Sequence, residues 1–438
     1  MFIVMLFFSL HIDIKNFIQK NIITCQALMV YFLSFCVSYG SCITVANFTF
    51  FHGTNDNIFF NFDILSPMNY ILFFTAFIGV FILLNMYISK RLVDKLDINQ
   101  KTKRYFRIFL IINLVGILCY MMARYYIDTP SWLYFLFSLP IGILFLLFWS
   151  AVVYDISRAL LSFAPISDSR RAFFKKSLDV SSMAATATLS LKSIHNAKFI
   201  EVQKIDIEIK NLKKPYKIVQ LSDIHIGGLI EKSFIENIVQ KANALNPDIV
   251  VITGDLIDID VSKASKTLAE LSKLNSRLGT YYTVGNHEYF HSIEKIISAV
   301  KSLGIKVLEN ENVYIGEEGE GFNLAGVYDI FGYRAKKYVP DLQKALKGKK
   351  DSPTILLAHQ PRFIYEVTSG VDLMLSGHTH GGQLYPFKYL VKLQQPYTSG
   401  LHKHNEELQI YVNKGTGFWG PPMRLGASSE ITEIVITP

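Results

Sequence analysis

The stretch "PDIVVITGDLID" (residues 247–258) runs from Ile249 to Thr253 without a charge, then breaks at Gly254 and Asp255. A strand with one wet face alternates apolar and polar side chains, whereas a strand covered on both faces does not. The run therefore predicts a doubly buried strand, ended by a glycine that lets the chain turn sharply. Further stretches repeat the pattern: "YKIVQLSD" (216–223), "TYYTVGNHE" (280–288), "PTILLAHQ" (353–360) and "VDLMLSGHTH" (371–380). Between them, "EKSFIENIVQKANAL" (231–245) and "SKTLAELSKL" (265–274) carry helical spacing, and "ELQIYVNKG" (407–415) and "EITEIVIT" (430–437) read as strands. Strand alternating with helix predicts an α/β sheet covered by helices.

The five buried runs all end in residues with metal chemistry. They supply Asp223 and His225, Asp255, Asn286 and His287, His359, and finally His378 and His380. Sites in open α/β sheets lie beyond the carboxyl ends of strands. Side chains two apart in extended backbone point the same way, so Asp223 with His225, and His378 with His380, are each expected to aim a pair of ligands at one point. Taken singly, such an Asp caps a helix and such a His fills a surface; five strand ends carrying Asp, Asn and His together are a metal site. Oxygen and imidazole donors without thiolate suit Mn, Fe or Zn rather than calcium. The four cysteines (Cys25, Cys36, Cys42 and Cys119) lie in a different part of the chain. A carboxylate shared by two ions about 3.5–4 Å apart is the geometry for hydrolysing phosphate esters.

In order along the chain, "DIHIG", "GDLID", "GNHEY", "AHQP" and "GHTHGG" resemble the blocks of the calcineurin-like metallophosphoesterases, over about residues 216–415. The tail "YVNKGTGFWGPPMRLGASSEIT" (411–432) is similar to the membrane-anchored bacterial branch of that family. The resemblance implies the calcineurin-like α/β fold, two stacked β-sheets flanked by helices; alternation alone predicts one simpler sheet. It also implies two divalent ions. Asp223, His225, Asp255 and His380 would hold one and Asp255, Asn286, His359 and His378 the other, with His287 facing the leaving oxygen as the catalytic residue. Gly227, Gly228, Gly381 and Gly382 are expected to let backbone amides approach phosphate oxygens. "GDLID" lacks the Arg-Gly that follows it in serine/threonine phosphatases, and no Tyr follows Asp255 as in purple acid phosphatases, so both branches are disfavoured.

Outward from this domain, toward the N-terminus, charge disappears. Residues 64–89 and 129–154 carry none and are long enough to cross a bilayer core of about 30 Å. Residues 108–123 are shorter, but Arg107 and Arg124 at their ends can snorkel. Residues 22–48 add a further charge-free stretch. The expectation is a multi-pass membrane region of about four helices over 1–160, a linker or twin-arginine-like segment over 161–197 with a possible fifth crossing, and the phosphoesterase domain over 198–438. Residues 90–107 hold seven Lys or Arg and residues 48–67 none. The positive-inside rule therefore puts the basic loop in the cytoplasm, and four spans lean the catalytic half to the same side.

The expected function is that of a membrane-bound, metal-dependent hydrolase of phosphate ester or pyrophosphate bonds. Its expected partner is a phosphorylated substrate, with a lipid-linked one favoured by the membrane anchor. Alternatives are a pyrophosphatase acting on a nucleotide-linked acylated sugar of the UDP-diacylglucosamine type, a non-catalytic metal-binding sensor or scaffold, and a nuclease. Formal charge is +8, but much of the basic excess flanks the spans, and no basic run interleaved with aromatics marks the catalytic half for nucleic acid.

Overall fold

Helices α1 (Pro67–Arg91), α2 (Gln100–Tyr125) and α3 (Ser131–Phe163) are the three, among the described residues, long and apolar enough to cross a membrane. The computed structural model describes residues 67–125 and 129–438; the stretch expected to span first, residues 22–48, lies outside them. The chain divides into two units, Met1–Met86 and Tyr87–Pro438, and the second holds α2, α3 and the whole catalytic half. Pro140 sits inside α3, and a Cβ on Gly116 of α2 would come within 2.7 Å of its ring, so a small residue is what lets α2 and α3 approach. The segment after α3 is one helix, α4 (Asp168–Lys198), of 31 residues or about 46 Å at 1.5 Å per residue. It runs back along α3: Tyr154 donates to Asp179 at 2.6 Å, and Ser150 donates to the Ser182 carbonyl at 3.4 Å.

Polar contacts gather where α3 meets the basic loop. Asp155 pairs with Arg91 and, at 2.5 Å, with Lys95; Asp179 accepts the Asp97 N–H at 2.7 Å. At the opposite end of the bundle, α4 delivers the chain to the catalytic domain, where the Arg424 N–H donates to the Ser193 carbonyl at 2.8 Å.

That domain has two six-stranded mixed sheets. The first is ordered β1 (Ile200–Glu208), β12 (Ser429–Thr437), β2 (Tyr216–Leu221), β3 (Ile249–Thr253), β4 (Thr280–Thr283) and β5 (Lys306–Val307). The second is ordered β10 (Gly400–Lys403), β11 (Gln409–Val412), β9 (Leu373–Ser376), β8 (Thr354–Leu357), β7 (Phe322–Gly326) and β6 (Glu311–Ile315). β2 to β5 run parallel, as do β7, β8, β9 and β11. Both sheets use the same strand–helix rhythm; the chain passes to the second sheet in the short link from Val307 to Glu311 and returns to the first between Val412 and Ser429, so periodicity alone cannot locate the switches.

The charge-free composition of β3 follows from what covers it. Ile249 and Val251 face the core between the sheets with Leu324, Leu357 and Leu375, while Val250 and Ile252 face the helices. α5 (Lys232–Ala244) buries Ile235, Ile238, Val239 and Ala242, and α6 (Ile293–Ser302) buries Ile293, Ile296, Ile297 and Val300. Both are the i, i+3, i+4, i+7 stripe of a helix with one apolar face.

Candidate metal centre

β2, β3 and β4 are neighbours in one sheet, β8 and β9 in the other, and all five end at the same edge. Their next residues converge into three groups of side chains: Asp223, His225 and His380; Asp255, His359 and His378; and His225, Asp255 and His287. Within each group the ligating atoms lie within 4.8 Å of one another. His378 and His380 fall into different groups, and Asp255 belongs to two. Its Oδ2 is 3.2 Å from His359 Nε2, 3.9 Å from His225 Nε2 and 3.7 Å from His287 Nε2. Asn286 joins through Oδ1, 3.2 Å from His359 Nε2.

The backbone reaches this arrangement through tight turns, not through the extended pairs that spacing suggests. Asp223, His225, Asp255, His378 and His380 all have positive φ, between 48° and 67°. Left-handed backbone costs a side-chain-bearing residue free energy, and clusters of it mark sites where the surroundings enforce it. The carboxylates explain the enforcement here. Asp223 accepts the His378 N–H at 2.9 Å and Asp255 accepts the His287 N–H at 2.9 Å, so the turns close on the side chains they carry.

The donor chemistry fits divalent cations. His359 Nδ1 donates to the Thr253 carbonyl at 2.8 Å, which turns Nε2 toward two acceptors, Asp255 and Asn286. Either a proton on Nε2 or a metal ion satisfies them. Burial alone would strip a proton from His359, yet the Asp255 carboxylate reverses this and holds its pKa well above the usual imidazole value. Burial and the neighbouring His359 push His378 down to about 3, keeping it neutral as a ligand must be. Burial raises an aspartate, but His287, His359 and His225 together hold Asp255 well below the ordinary carboxylate range. These residues are capable of holding two divalent ions around a shared carboxylate.

Three side chains in or near the same short blocks escape a reading by ligand type, because each acts on another residue. Asp258 accepts Nδ1–H from His225 at 2.8 Å and from His287 at 2.6 Å, aiming both Nε2 atoms inward. Burial opposes its charge, but the two histidines hold Asp258 ionised, well below its usual pKa. His287 answers in kind: burial lowers it, while Asp255 and Asp258 raise it to about 9. Glu288 accepts backbone N–H groups from both the β3 and the β4 loops. Arg424, fully buried, donates to the carbonyls of Lys414, Gly417 and Ala427 and places Nη2 3.1 Å from His380 Nδ1. The only sequence signal for Asp258 and Glu288 is their spacing, three residues after Asp255 and two after Asn286.

Two of the glycines beside the site are points of close packing that leave no room for a side chain. A Cβ at Gly228 would meet the Tyr134 ring of α3 at 2.7 Å, and one at Gly382 would meet Lys388 at 2.4 Å. Over the His225–Asp258 side lies a cavity of about 390 Å³, whose wall includes Arg124, Thr129 and Tyr134 of the membrane hairpin as well as Lys263.

Two mixed sheets that bring Asp, Asn and His from five strand ends to one buried cluster define a metal-dependent phosphoesterase scaffold. Residues 216–382 match the calcineurin-like phosphoesterase family. Over 373 residues the chain is 35% identical to an uncharacterized metallophosphoesterase of Campylobacter jejuni, covering 83% of this chain and 98% of that protein. It is 34% identical over 388 residues to a transmembrane protein with metallophosphoesterase domain of Danio rerio, covering 83% and 89%. An uncharacterized metallophosphoesterase of Helicobacter pylori is 45% identical over 241 residues, with 54% of this chain and 64% of that protein aligned. The chain belongs to the calcineurin-like metallophosphoesterases, as a member with an N-terminal membrane-spanning region. Since bacterial and animal proteins both align along most of the chain, a bacterial branch is not set apart.

Proposed function

We propose that the protein is a membrane-anchored hydrolase of phosphate ester or pyrophosphate bonds. In this reading Asp223, His225, Asp255 and His380 hold one divalent ion, and Asp255, Asn286, His359 and His378 the other. Bound there, such ions turn water into a nucleophile at neutral pH and offset charge on the phosphoryl oxygens. The chain's own residues do the rest. Asp258 orients His225 toward one ion and His287 toward the reacting group; His287, held through its backbone by Asp255 and through its ring by Asp258, donates to the departing oxygen. The observation that carries the reading is that Asp255 groups both with His359 and His378 and with His225, which itself groups with Asp223 and His380. Full-length protein in detergent, stripped with EDTA and reloaded with Mn, is expected to regain hydrolysis of p-nitrophenyl phosphodiesters, phosphomonoesters or pyrophosphates. Absence of turnover on all three classes overturns it.

A phosphorylated amphiphile suits the site best. The cavity beside His225 shares its wall with the membrane hairpin. Directly after the "GHTHGG" block, Tyr385, Tyr389 and Leu393 are exposed around Lys388, and Phe387 packs edge-on against Phe145 of α3, centroids 6.1 Å apart. Aromatic and lysine side chains beside a membrane helix form the pattern of a bilayer interface. Hydrolysis of a phospholipid or lipid-linked pyrophosphate in mixed micelles is expected to exceed that of its water-soluble headgroup analogue.

The same geometry bears on sidedness. The catalytic domain meets the bundle at the end of α2 and along the first half of α3, from Arg124 and Tyr134 to Phe145, away from the basic loop. Combined with the positive-inside rule, this supports a catalytic domain outside the cytoplasm, with α4, more polar than the three apolar helices, returning the chain along α3. Alkaline phosphatase fused after Pro438 is expected to be active in cells; a fluorescent GFP fusion at the same point would reverse the assignment.

A further inference from the structure

One carboxylate ties the metal centre to the membrane hairpin. Asp258 spends Oδ1 on two histidines of the site, at 2.8 Å from His225 Nδ1 and 2.6 Å from His287 Nδ1. Its other oxygen faces Arg124, the last basic residue of α2, whose Nη2 lies 3.5 Å away. Both side chains are largely buried, with 16% and 11% of their surface exposed, so the pair is shielded from the solvent that weakens surface ion pairs. Arg124 is itself held, Nη1 donating to Tyr120 one turn back at 3.1 Å. The next helix reinforces the contact: Tyr134 of α3 presses on Gly228, three residues after His225, where a Cβ would meet the ring at 2.7 Å. The hairpin is thus seated on the loop that carries the first ligand pair.

We propose that Arg124 is a positioning residue of the metal centre, supplied by the membrane hairpin, so that the site is complete only when the hairpin is docked. This rests on the reading of the cluster as a two-metal phosphoesterase site. The physical reason is charge and direction. An aspartate with two N–H donors on one oxygen can rotate about its last bond; a guanidinium on the other oxygen fixes the carboxylate plane and thereby the aim of both imidazoles. Groups that hold a ligating histidine in this way are worth about 10–100-fold in metal affinity or activity.

The test uses the full chain in lipid nanodiscs. Mn binding is followed by electron paramagnetic resonance, and turnover with a water-soluble p-nitrophenyl phosphodiester that needs no lipid contact. Arg124→Gln is expected to weaken Mn binding by about 10-fold or more and to lower kcat about 10–100-fold with little change in KM. Arg124→Lys, which keeps the charge, recovers most of both. Asp258→Asn gives a loss at least as large, and Arg124→Gln adds little on top of it because the two act through one carboxylate. Arg124→Gln with wild-type Mn affinity and kcat overturns the proposal, as does a double variant in which the two losses multiply. Should Arg124→Gln fail to fold, the same cycle is run with Arg124→Met, an apolar residue suited to a membrane helix: a loss that vanishes beside Asp258→Asn supports the proposal, and no loss, or losses that multiply, refute it. Wild-type protein that neither binds Mn nor turns over would instead remove the phosphoesterase reading beneath, a separate outcome.

Discussion

Asp255→Asn is expected to cut turnover by about 10³-fold or more and to reduce bound metal from two ions per chain to one at most. A loss of that size corresponds to about 4 kcal/mol of transition-state stabilisation. The carboxylate lies between histidines of both ligand groups, with His359 Nε2 at 3.2 Å and His225 Nε2 at 3.9 Å from the same oxygen. Asparagine keeps the shape and one acceptor, so the His287 N–H retains its partner, 2.9 Å away in the parent protein. What goes is the negative charge that three histidines hold in place. Without it, two cations facing each other in a buried site repel with nothing between them. Metal analysis by mass spectrometry beside kinetics on the same sample checks both halves. A variant that keeps two ions and full turnover would contradict the shared-carboxylate assignment.

Glu288→Ala carries the second large effect, on stability. Glu288 is fully buried, and its two oxygens accept four backbone N–H groups: Gly285 at 2.6 Å, Leu256 at 2.8 Å, and Asp255 and Ile257 at 3.2 Å. It pins the β3 loop, which carries Asp255, to the β4 loop, which carries Asn286. Truncation strands four donors away from water and opens a void. Unmade buried hydrogen bonds cost about 1–3 kcal/mol each in the worst case, and partial relaxation brings the expected total to about 3–5 kcal/mol. For a domain of this size that is a fall in Tm of roughly 10 °C. Glu288→Gln, which keeps one oxygen, is expected to lose less. A melting temperature within about 2 °C of the parent for Glu288→Ala would show that water replaces the carboxylate, and the brace would have to be abandoned.

The glycines of these loops show how residue type and tertiary contact constrain the same position differently. A Gly ahead of each polar block suggests a turn needing positive φ. Gly254 has it, at 79°, but Gly285 and Gly377 do not. Their constraint is proximity: a Cβ at Gly285 would lie 2.4 Å from the Asp255 backbone nitrogen, and one at Gly377 would lie 1.8 Å from Ser222 Oγ. Neighbouring loops from β2, β3, β4 and β9 pack too closely at these points for any side chain. Residue type pointed to the right positions for a reason that only the partner strand supplies.

The letters of the chain were enough for the buried strands, the helices between them, three of the expected apolar spans and the eight Asp, Asn and His residues at strand ends. Each depends on neighbours within a few positions, where burial pattern and donor type are written directly. The division into two sheets, the left-handed turns, the brace through Glu288, the clamp of Arg424 and the reach of Arg124 from a membrane helix to Asp258 came from folding. They join residues that are distant along the chain, as Arg124 is from Asp258, and side chains that work by holding other side chains have no spacing of their own to betray them.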